Sequence, residues 1–205
     1  MNVTVLSADD VGEIVSVLSD AFYDYPVMRH VIGDLERYDE RLPRLVELFV
    51  NSRALRDEPM FGLREARGGL VAAAVMTSRV APEAPPRLLT LRERIWSELG
   101  VEARTRYDGF VAATSQFAVA SPHHHLNMIG VRRSLHGRGL GRLLLDAVHD
   151  LAASDPLSCG VSLTTERAAN VSLYEHCGYR VQGYARVASD LETWTLFRPS
   201  PNTAE

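Results

Sequence analysis

The chain has 205 residues, of which 46% are hydrophobic and 23% are charged, and its formal net charge is −4 at pH 7. These proportions are ordinary for a soluble globular protein and argue against disorder. All 22 positive charges are arginine, and the lack of lysine excludes a Walker-type phosphate loop, a Schiff-base enzyme and a lysine general base. Because neither sign collects into a long run, we expect no nucleic-acid partner.

No linker divides the sequence, so we expect one domain over residues 1–205. Cys159 and Cys177 form neither a metal-binding pattern nor a disulfide framework, which favours reduced packing residues. The first ten residues do not resemble a signal peptide. The longest apolar run, 70–76, is far shorter than the roughly 20 residues of a membrane helix. We therefore expect a cytoplasmic protein without a membrane partner.

The first part of the chain predicts a strand, two amphipathic helices, a β-hairpin and a helical insertion, from the spacing of apolar residues. Ser7 or Asp9 is expected to cap the first helix, and Pro26 to end it. A break at Gly100 is expected inside the insertion. These elements cover residues 3–6, 11–22, 42–49, 60–64 with 70–77, and 82–118.

The last part of the chain predicts a strand, a glycine turn, a helix, a second strand, a short helix and two closing strands. Gly178 is expected to close the short helix in a left-handed conformation. Residues 199–205 are expected to form a loose tail. The other elements cover residues 126–131, 140–151, 161–164, 170–177, 179–187 and 192–197.

The most informative segment is the glycine turn, which reads His136-Gly137-Arg138-Gly139-Leu140-Gly141-Arg142. Three glycines at alternate positions let main-chain N–H groups at a helix start approach a pyrophosphate, and the helix dipole adds roughly half a positive charge. The alternative is a tight turn that packs a helix against a strand. A dinucleotide-binding fold is disfavoured, since its glycine turn follows the first strand of the chain.

Two segments together resemble the GNAT superfamily of acetyl-CoA-dependent N-acetyltransferases. The glycine turn at 136–141 is similar to the family's acyl-CoA signature of Gln/Arg-x-x-Gly-x-Gly/Ala between a strand and a helix. The second signature is matched by Asn170, Ser172, Leu173-Tyr174-Glu175, Gly178 and Tyr179. The resemblance implies an α/β (α+β) fold: a mixed, mostly antiparallel central sheet with a splayed strand pair and flanking helices.

The resemblance further implies that acetyl-CoA is a cosubstrate and that no metal takes part. The pantetheine arm is expected to pair with main chain in the gap between strands 126–131 and 161–164, with the phosphates on the glycine turn. His136 stands where the family usually has Gln or Arg, so only its main chain is expected to contact phosphate. The expected cofactor-binding residues are Ile129, Val131, His136, Gly137, Arg138, Gly139, Leu140, Gly141, Arg142 and Asn170.

Catalytic roles follow from the same resemblance. Tyr174 is expected to protonate the departing thiolate, the alternative being a packing tyrosine. Glu166 and His125 are candidate general bases. His123, His124 and His125 suggest a metal site, but alternate residues of a strand face opposite sides, so the three cannot converge on one ion. We therefore expect mainly surface or structural roles for the trio.

The acceptor is expected to be a small-molecule amine, bound near Asp24 and Tyr25 at the end of the first helix and covered by the insertion at 82–118. The chain is expected to act as a monomer or homodimer, by direct attack in a ternary complex. Acetylation of a protein or peptide amine, and a non-catalytic acyl-CoA-binding module, are the alternatives. Thiol release with an amine panel separates the three, since a binding module releases none.

Overall fold

The computed structural model describes residues 1–33 and 36–201, in which seven strands form one mixed sheet. The strand order is β1-β2-β3-β4-β5-β7-β6, and only β4 and β5 pair in parallel. This confirms the expected α/β architecture with a mostly antiparallel sheet. The strands are β1 (Val3–Val5), β2 (Met60–Arg64), β3 (Leu70–Thr77), β4 (His124–Val131), β5 (Gly160–Thr165), β6 (Arg180–Ala188) and β7 (Leu191–Pro199).

Helices cover both faces of the sheet and divide the apolar core into two clusters. One cluster lies between the sheet and the helices α1 to α5, and the other lies between the sheet and α6 and α7. The apolar faces expected from the sequence therefore all find a partner. The helices are α1 (Val11–Ala21), α2 (Pro26–Ile32), α3 (Tyr38–Ala54), α4 (Pro86–Leu99), α5 (Val101–Ser115), α6 (Leu140–Ser154) and α7 (Ala168–His176).

The region after α1 differs from the prediction. Pro26 does not end the first helix, which stops at Ala21, but occupies the first turn of α2. Proline suits that position because its fixed φ matches a helix and its missing N–H would have no intrahelical acceptor. The short helix α2, which ends at Gly33 with φ of 68°, was therefore missed.

The predicted loose tail at 199–205 is also partly wrong. Pro199 pairs with Gly160 at the end of the sheet. Ser200 is only 4% exposed, and its N–H donates to the carbonyl of Cys159 at 2.8 Å. Main-chain pairing thus fixes the chain to residue 200, and residues 202–205 of the predicted tail lie outside the described residues.

β4 and β5 separate after a short paired stretch. Their register runs from His124↔Val161 to Leu126↔Leu163 and then ends, although both strands continue. The predicted splayed strand pair is therefore present. Within residues 1–33 and 36–201, no helix has both the length and the apolar character that crossing a bilayer requires.

Candidate active site

The gap between β4 and β5 is bordered by unused main-chain groups of β4. Arg132, which follows β4, donates its N–H to Val71 of β3 at 2.9 Å. N–H groups alternate in direction along an antiparallel pair, so that of Gly130 also faces β3, while those of Ile129 and Val131 face the gap. The carbonyl of Val131 accepts from the His136 ring at 2.9 Å. The N–H of Ile129 therefore points into the space between the strands.

The glycine turn between β4 and α6 has the backbone shape that the sequence suggested. Gly137 and Gly139 adopt φ of 77° and 75°, in the region that only glycine occupies at low cost. Gly139 is the residue before the first turn of α6, whose leading N–H groups have no intrahelical acceptor. Among the described residues, nothing accepts a hydrogen bond from the N–H groups of 137–141. A set of free amides thus converges at a helix N-terminus.

A cavity of about 760 Å³ lies over this turn and continues into the gap. Its lining includes each of the ten residues expected to bind the cofactor. Arg138 is exposed at its edge, and Arg142 is held by Asp146 at 2.8 Å. The His136 side chain turns back to β4 instead of outward, consistent with a main-chain role only. The lining also contains Leu135, Leu145, Arg167 and Leu173, which sequence reasoning missed.

A second cavity, of about 400 Å³, lies at the opposite side of the gap, between the sheet and the helices α2, α3 and α5. We call it the acceptor-side cavity, because it contains Tyr25, near which the acceptor is expected. Residues from both splayed strands line it. The two cavities share the side chains of Phe22, Tyr25, Ile129, Asn170 and Tyr174. A ligand in the first cavity and a ligand in the second therefore meet at the gap.

Glu166 lies at this meeting point, directly after β5. Its side chain is buried, and the hydroxyl of Thr193 donates to its Oε1 at 2.9 Å. Burial disfavours the charged form and raises the pKa of Glu166 from 4.5 to about 7, against the lowering effect of the hydrogen bonds from Thr193 and Tyr25. The carboxyl group is thus poised to exchange a proton near neutral pH.

Tyr25 and Asn170 are connected through a threonine beside Glu166. The Tyr25 hydroxyl lies 2.9 Å from Thr165 Oγ1 and accepts from the Glu166 N–H at 3.2 Å. Asn170 donates its amide to the same Thr165 oxygen at 3.1 Å. These bonds fix the end of β5 against the start of α2 and against α7, so the position of Glu166 is set by the sheet and both helices.

Tyr174 lies on α7, where it is the buried residue of that helix. It lines both cavities, and its ring packs against Tyr179 at 5.6 Å between centroids. Burial raises its pKa to about 12, with a contribution from the nearby Glu166 charge. The hydroxyl therefore stays protonated at neutral pH and is a hydrogen-bond donor beside the gap.

His125 lies at the other end of the acceptor-side cavity. Its Nδ1 is 2.7 Å from Ser162 Oγ, and Ser162 is four residues before Glu166, or roughly 13 Å along a strand. Burial lowers the pKa of His125 to about 4, so its ring is neutral at pH 7. The structure therefore brings Glu166 and Tyr174 together but does not bring His125 to them.

The three consecutive histidines point to different partners. The His123 ring contacts the carbonyl of Ser121 at 2.7 Å, and the His124 ring contacts Asp155 at 3.2 Å. Within the described part of the chain, no group of three or more His, Cys, Asp or Glu side chains has the arrangement of a metal site. The trio thus makes separate structural contacts, as strand alternation suggested.

The two candidate acceptor residues lie between α1 and α2 and have different surroundings. Tyr25 lines both cavities. Asp24 lines neither; its side chain is 62% exposed and pairs with Arg29 at 2.8 Å. Arg133 also approaches it, at 3.7 Å. The structure therefore places Tyr25 at the site and leaves Asp24 in a surface ion-pair network, because α1 ends before it and turns it outward.

One wall of the acceptor-side cavity comes from α3, which sequence reasoning did not assign to it, and another comes from the insertion at 82–118, which was expected there. Leu45, Phe49 and Arg53 of α3 line the cavity, at the four-residue spacing that places side chains on one helix face. The four-residue spacing was visible in the sequence, but nothing there indicated that this face of α3 would line a cavity. Residues of α5 and the segment after it complete the wall: Tyr107, Phe110, Val111, Thr114, Ser115, Phe117, Ala118 and Val119.

Comparison with known proteins supports this geometry. Residues 94–181 match the model of the acetyltransferase (GNAT) domain. A curated relative from Schizosaccharomyces pombe, named as an uncharacterized N-acetyltransferase, is 36% identical over 77 residues, which cover 38% of this chain and 31% of the relative. The matched region thus spans about a third of that relative's length.

Solved structures share the fold over nearly the whole chain. A histone acetyltransferase HPA2 and related acetyltransferase from Corynebacterium glutamicum superposes with a TM-score of 0.69 at 22% identity, covering 99% of this chain and 98% of that chain. The ribosomal-protein-S18-alanine N-acetyltransferase of Escherichia coli gives a TM-score of 0.58 at 15% identity, covering 97% and 92%. Naa20 of Chaetomium thermophilum, bound to a bisubstrate analogue, gives 0.52 at 14% identity, covering 98% and 88%.

Proposed function

We propose that the chain, of which residues 94–181 match the acetyltransferase (GNAT) domain, is a GNAT acetyltransferase and transfers the acetyl group of acetyl-CoA to the primary amine of a small molecule. The observation that carries the proposal is the meeting of two cavities at a gap between β4 and β5. One side of this gap presents free main-chain amides, and the other presents a buried carboxyl group with a pKa of about 7.

The glycine turn is the proposed diphosphate site. Free N–H groups at a helix N-terminus favour an anion through hydrogen bonding and the helix dipole, and Arg138 and Arg142 add positive charge at the rim. The Val131 carbonyl already accepts a hydrogen bond from the His136 ring. We therefore assign pantetheine pairing to the N–H of Val131 and to the main chain of Ile129. Asn170 lies where the arm would enter the gap.

The N–H of Ile129 is the proposed oxyanion donor. It is fixed by the β3–β4 ladder, where Ile129 pairs with Ala74, so it needs no reorganisation when negative charge develops on the thioester oxygen. Donors of this kind contribute roughly 10²- to 10³-fold to acyl transfer.

Glu166 is the proposed general base. An alkylamine with a pKa of about 10.4 must lose a proton before it attacks, at a cost of roughly 4–5 kcal/mol near pH 7. Burial gives Glu166 a pKa that lets it accept this proton at neutral pH. In the transfer the C–N bond forms, the C–S bond breaks, Glu166 takes a proton from the amine, and Tyr174 donates to the departing sulfur.

The size of the acceptor-side cavity favours a small molecule over a polypeptide. Its volume of about 400 Å³ suits a small ligand; residues of segment 107–119 form one wall, and the side chain of Phe117 fills the space above Gly183 of β6. An extended peptide would need an open groove. Acetylation of a protein amine remains the second candidate because the family's solved structures include protein-acetylating enzymes by name.

The test is a panel of small amines and peptides incubated with acetyl-CoA and the protein, with free thiol as the readout. Turnover on small amines above that on peptides is expected. Greater turnover on peptides would replace the proposal with its second candidate. Acetyl-CoA binding that raises the melting temperature, without thiol release from any amine, would identify a non-catalytic binding module.

A further inference from the structure

The acceptor-side cavity contains a buried arginine far from the reacting groups. Arg53, in the last turn of α3, lines the cavity with a side chain only 17% exposed. Its Nη1 donates to Glu58 at 3.0 Å and also contacts the hydroxyl of Thr77. A charge buried to this extent needs partners for its remaining donors. The other N–H groups of Arg53 therefore determine which ligand groups can bind at this end of the cavity.

One donor of the Arg53 guanidinium is left unused by the described residues. Both polar contacts that the group makes with them go through Nη1, and its Nε is buried where a ligand cannot reach it, so Nη2 is the donor left for a molecule in the cavity. Glu58 cannot turn to Nη2, since its other oxygen accepts from the Ser78 N–H at 3.2 Å. A guanidinium N–H donates a charge-assisted hydrogen bond to a carboxylate oxygen.

The charge around Arg53 also favours an added anion. Burial lowers the pKa of Arg53, the charge of Glu58 opposes this effect, and the positive charge of Arg56 adds to it. The positive charges of Arg53 and of Arg56, which lies behind it and does not line the cavity, thus exceed the single negative charge of Glu58. A second carboxylate would relieve the unpaired positive charge without displacing Glu58.

The distance from Arg53 to the reacting groups sets the length of the acceptor. Arg53 contacts Thr77, which pairs with His125 across β3 and β4, and His125 pairs with Ser162 across β4 and β5. Glu166 is four residues further along β5, roughly 13 Å away along the strand. An amine at Glu166 and a carboxylate at Arg53 are therefore separated by on the order of 10 Å, which excludes an α-amino acid.

The wall between these two ends is aromatic. Phe49 lies one helical turn before Arg53, and its ring is 5.6 Å from that of Tyr107. Aromatic walls favour a flat, apolar body through burial and edge or offset ring contacts. The remaining phenylalanine and tyrosine rings that line the cavity are Phe22, Tyr25, Phe110, Phe117 and Tyr174.

We propose that the acceptor is an elongated amino carboxylate with an aromatic or apolar body, whose amine lies at Glu166 and whose carboxylate accepts a hydrogen bond from Nη2 of Arg53. This inference rests on the proposed function. It assigns Arg53 as the residue that selects acceptors with an anionic far end.

The test compares phenylethylamine carrying a para-carboxylate with the same amine carrying a para-carboxamide, which has a similar shape but no charge. Thiol release gives kcat/KM for each. Calorimetric titration of the CoA-loaded protein gives the affinity of each, so a poorly reacting acceptor is still informative. The wild type is expected to favour the carboxylate by about 10- to 100-fold, the usual contribution of a hydrogen bond to a charged group.

Arg53→Lys keeps the positive charge but has no donor at the position of Nη2, so the ratio between the two compounds is expected to fall towards one. Arg56→Lys is the matched control, because Arg56 bonds to the Ser52 carbonyl at 2.9 Å and does not line the cavity; its ratio is expected to match the wild type. Equal affinity and kcat/KM for both compounds in the wild type would overturn the inference. An unchanged ratio in folded Arg53→Lys would also overturn it. If no amine, including these two compounds, leads to thiol release, the result counts against the proposed function itself.

Discussion

Replacing Glu166 with glutamine tests the proposed base through both stability and activity. In the folded protein the pKa of Glu166 is about 7, against an ordinary value of 4.5. Between these pH values the folded chain binds more protons than the unfolded chain, so the free energy of unfolding falls as pH rises. At 1.36 kcal/mol per unit, ionised Glu166 lowers it by about 3 kcal/mol at pH 8 and above.

Glu166→Gln removes the ionisable group, and with it the pH-dependent loss of unfolding free energy. Urea unfolding at several pH values is expected to show the variant gaining stability over the wild type as pH rises from 4.5 to 8, by up to about 3 kcal/mol. In the wild type, kcat/KM is expected to fall on the acid side of pH 7 as Glu166 becomes protonated. In the variant, the fall of kcat/KM below pH 7 is expected to disappear. Its rate is also expected to be about 10²- to 10⁴-fold lower, the usual contribution of a general base.

Thr193→Val is the matched control for this experiment. It removes the hydroxyl that donates to Glu166 at 2.9 Å and lowers its pKa. The acid limb should therefore move to higher pH, by on the order of one unit. If the limb near pH 7 persists in Glu166→Gln, or if the stability difference does not change with pH, the group that titrates is not Glu166.

Three further predictions concern other parts of the site. Tyr174→Phe is expected to lower kcat by about 10²-fold or more with CoA affinity nearly unchanged in a direct titration, and an unaltered kcat would remove its role as a donor to sulfur. Gly139→Ala, at φ of 75°, is expected to cost about 1–2 kcal/mol of stability and to weaken CoA binding. The control is Gly109→Ala inside α5, which has room for a methyl group and should stabilise the protein by roughly 0.5–1 kcal/mol without changing CoA affinity. Equal effects of the two substitutions on CoA affinity would contradict the assignment of the glycine turn. Gly183→Ala places a methyl group against Phe117 and is expected to raise the acceptor KM without altering CoA affinity; an unchanged KM would show that the segment after α5 does not shape the acceptor cavity.

The cofactor side of the site was predictable from sequence because it is local. The glycine turn lies between a strand and a helix within some twenty residues, and its chemistry depends on main-chain N–H groups and on φ values that only glycine adopts at low cost. The hairpin 60–77 and the break at Gly100 were predictable for the same reason, since turn residues and apolar spacing act over a few positions. The boundary at Pro26 was wrong because proline is compatible with both the end of one helix and the start of the next.

The acceptor side depended on contacts between distant segments. The high pKa of Glu166 comes from its burial, and the hydrogen bonds that partly oppose this effect come from Tyr25 and Thr193, which lie 141 and 27 residues away in the chain. The sequence made His125 an equal candidate for the base, and only the register of β4 with β5 placed it at the far end of the cavity. Arg53 looked like any arginine on an amphipathic helix. Composition and spacing determined which elements form and where a phosphate can bind, whereas the choice of base and of acceptor was decided by tertiary burial, because desolvation is a property of the packed chain and not of any short segment.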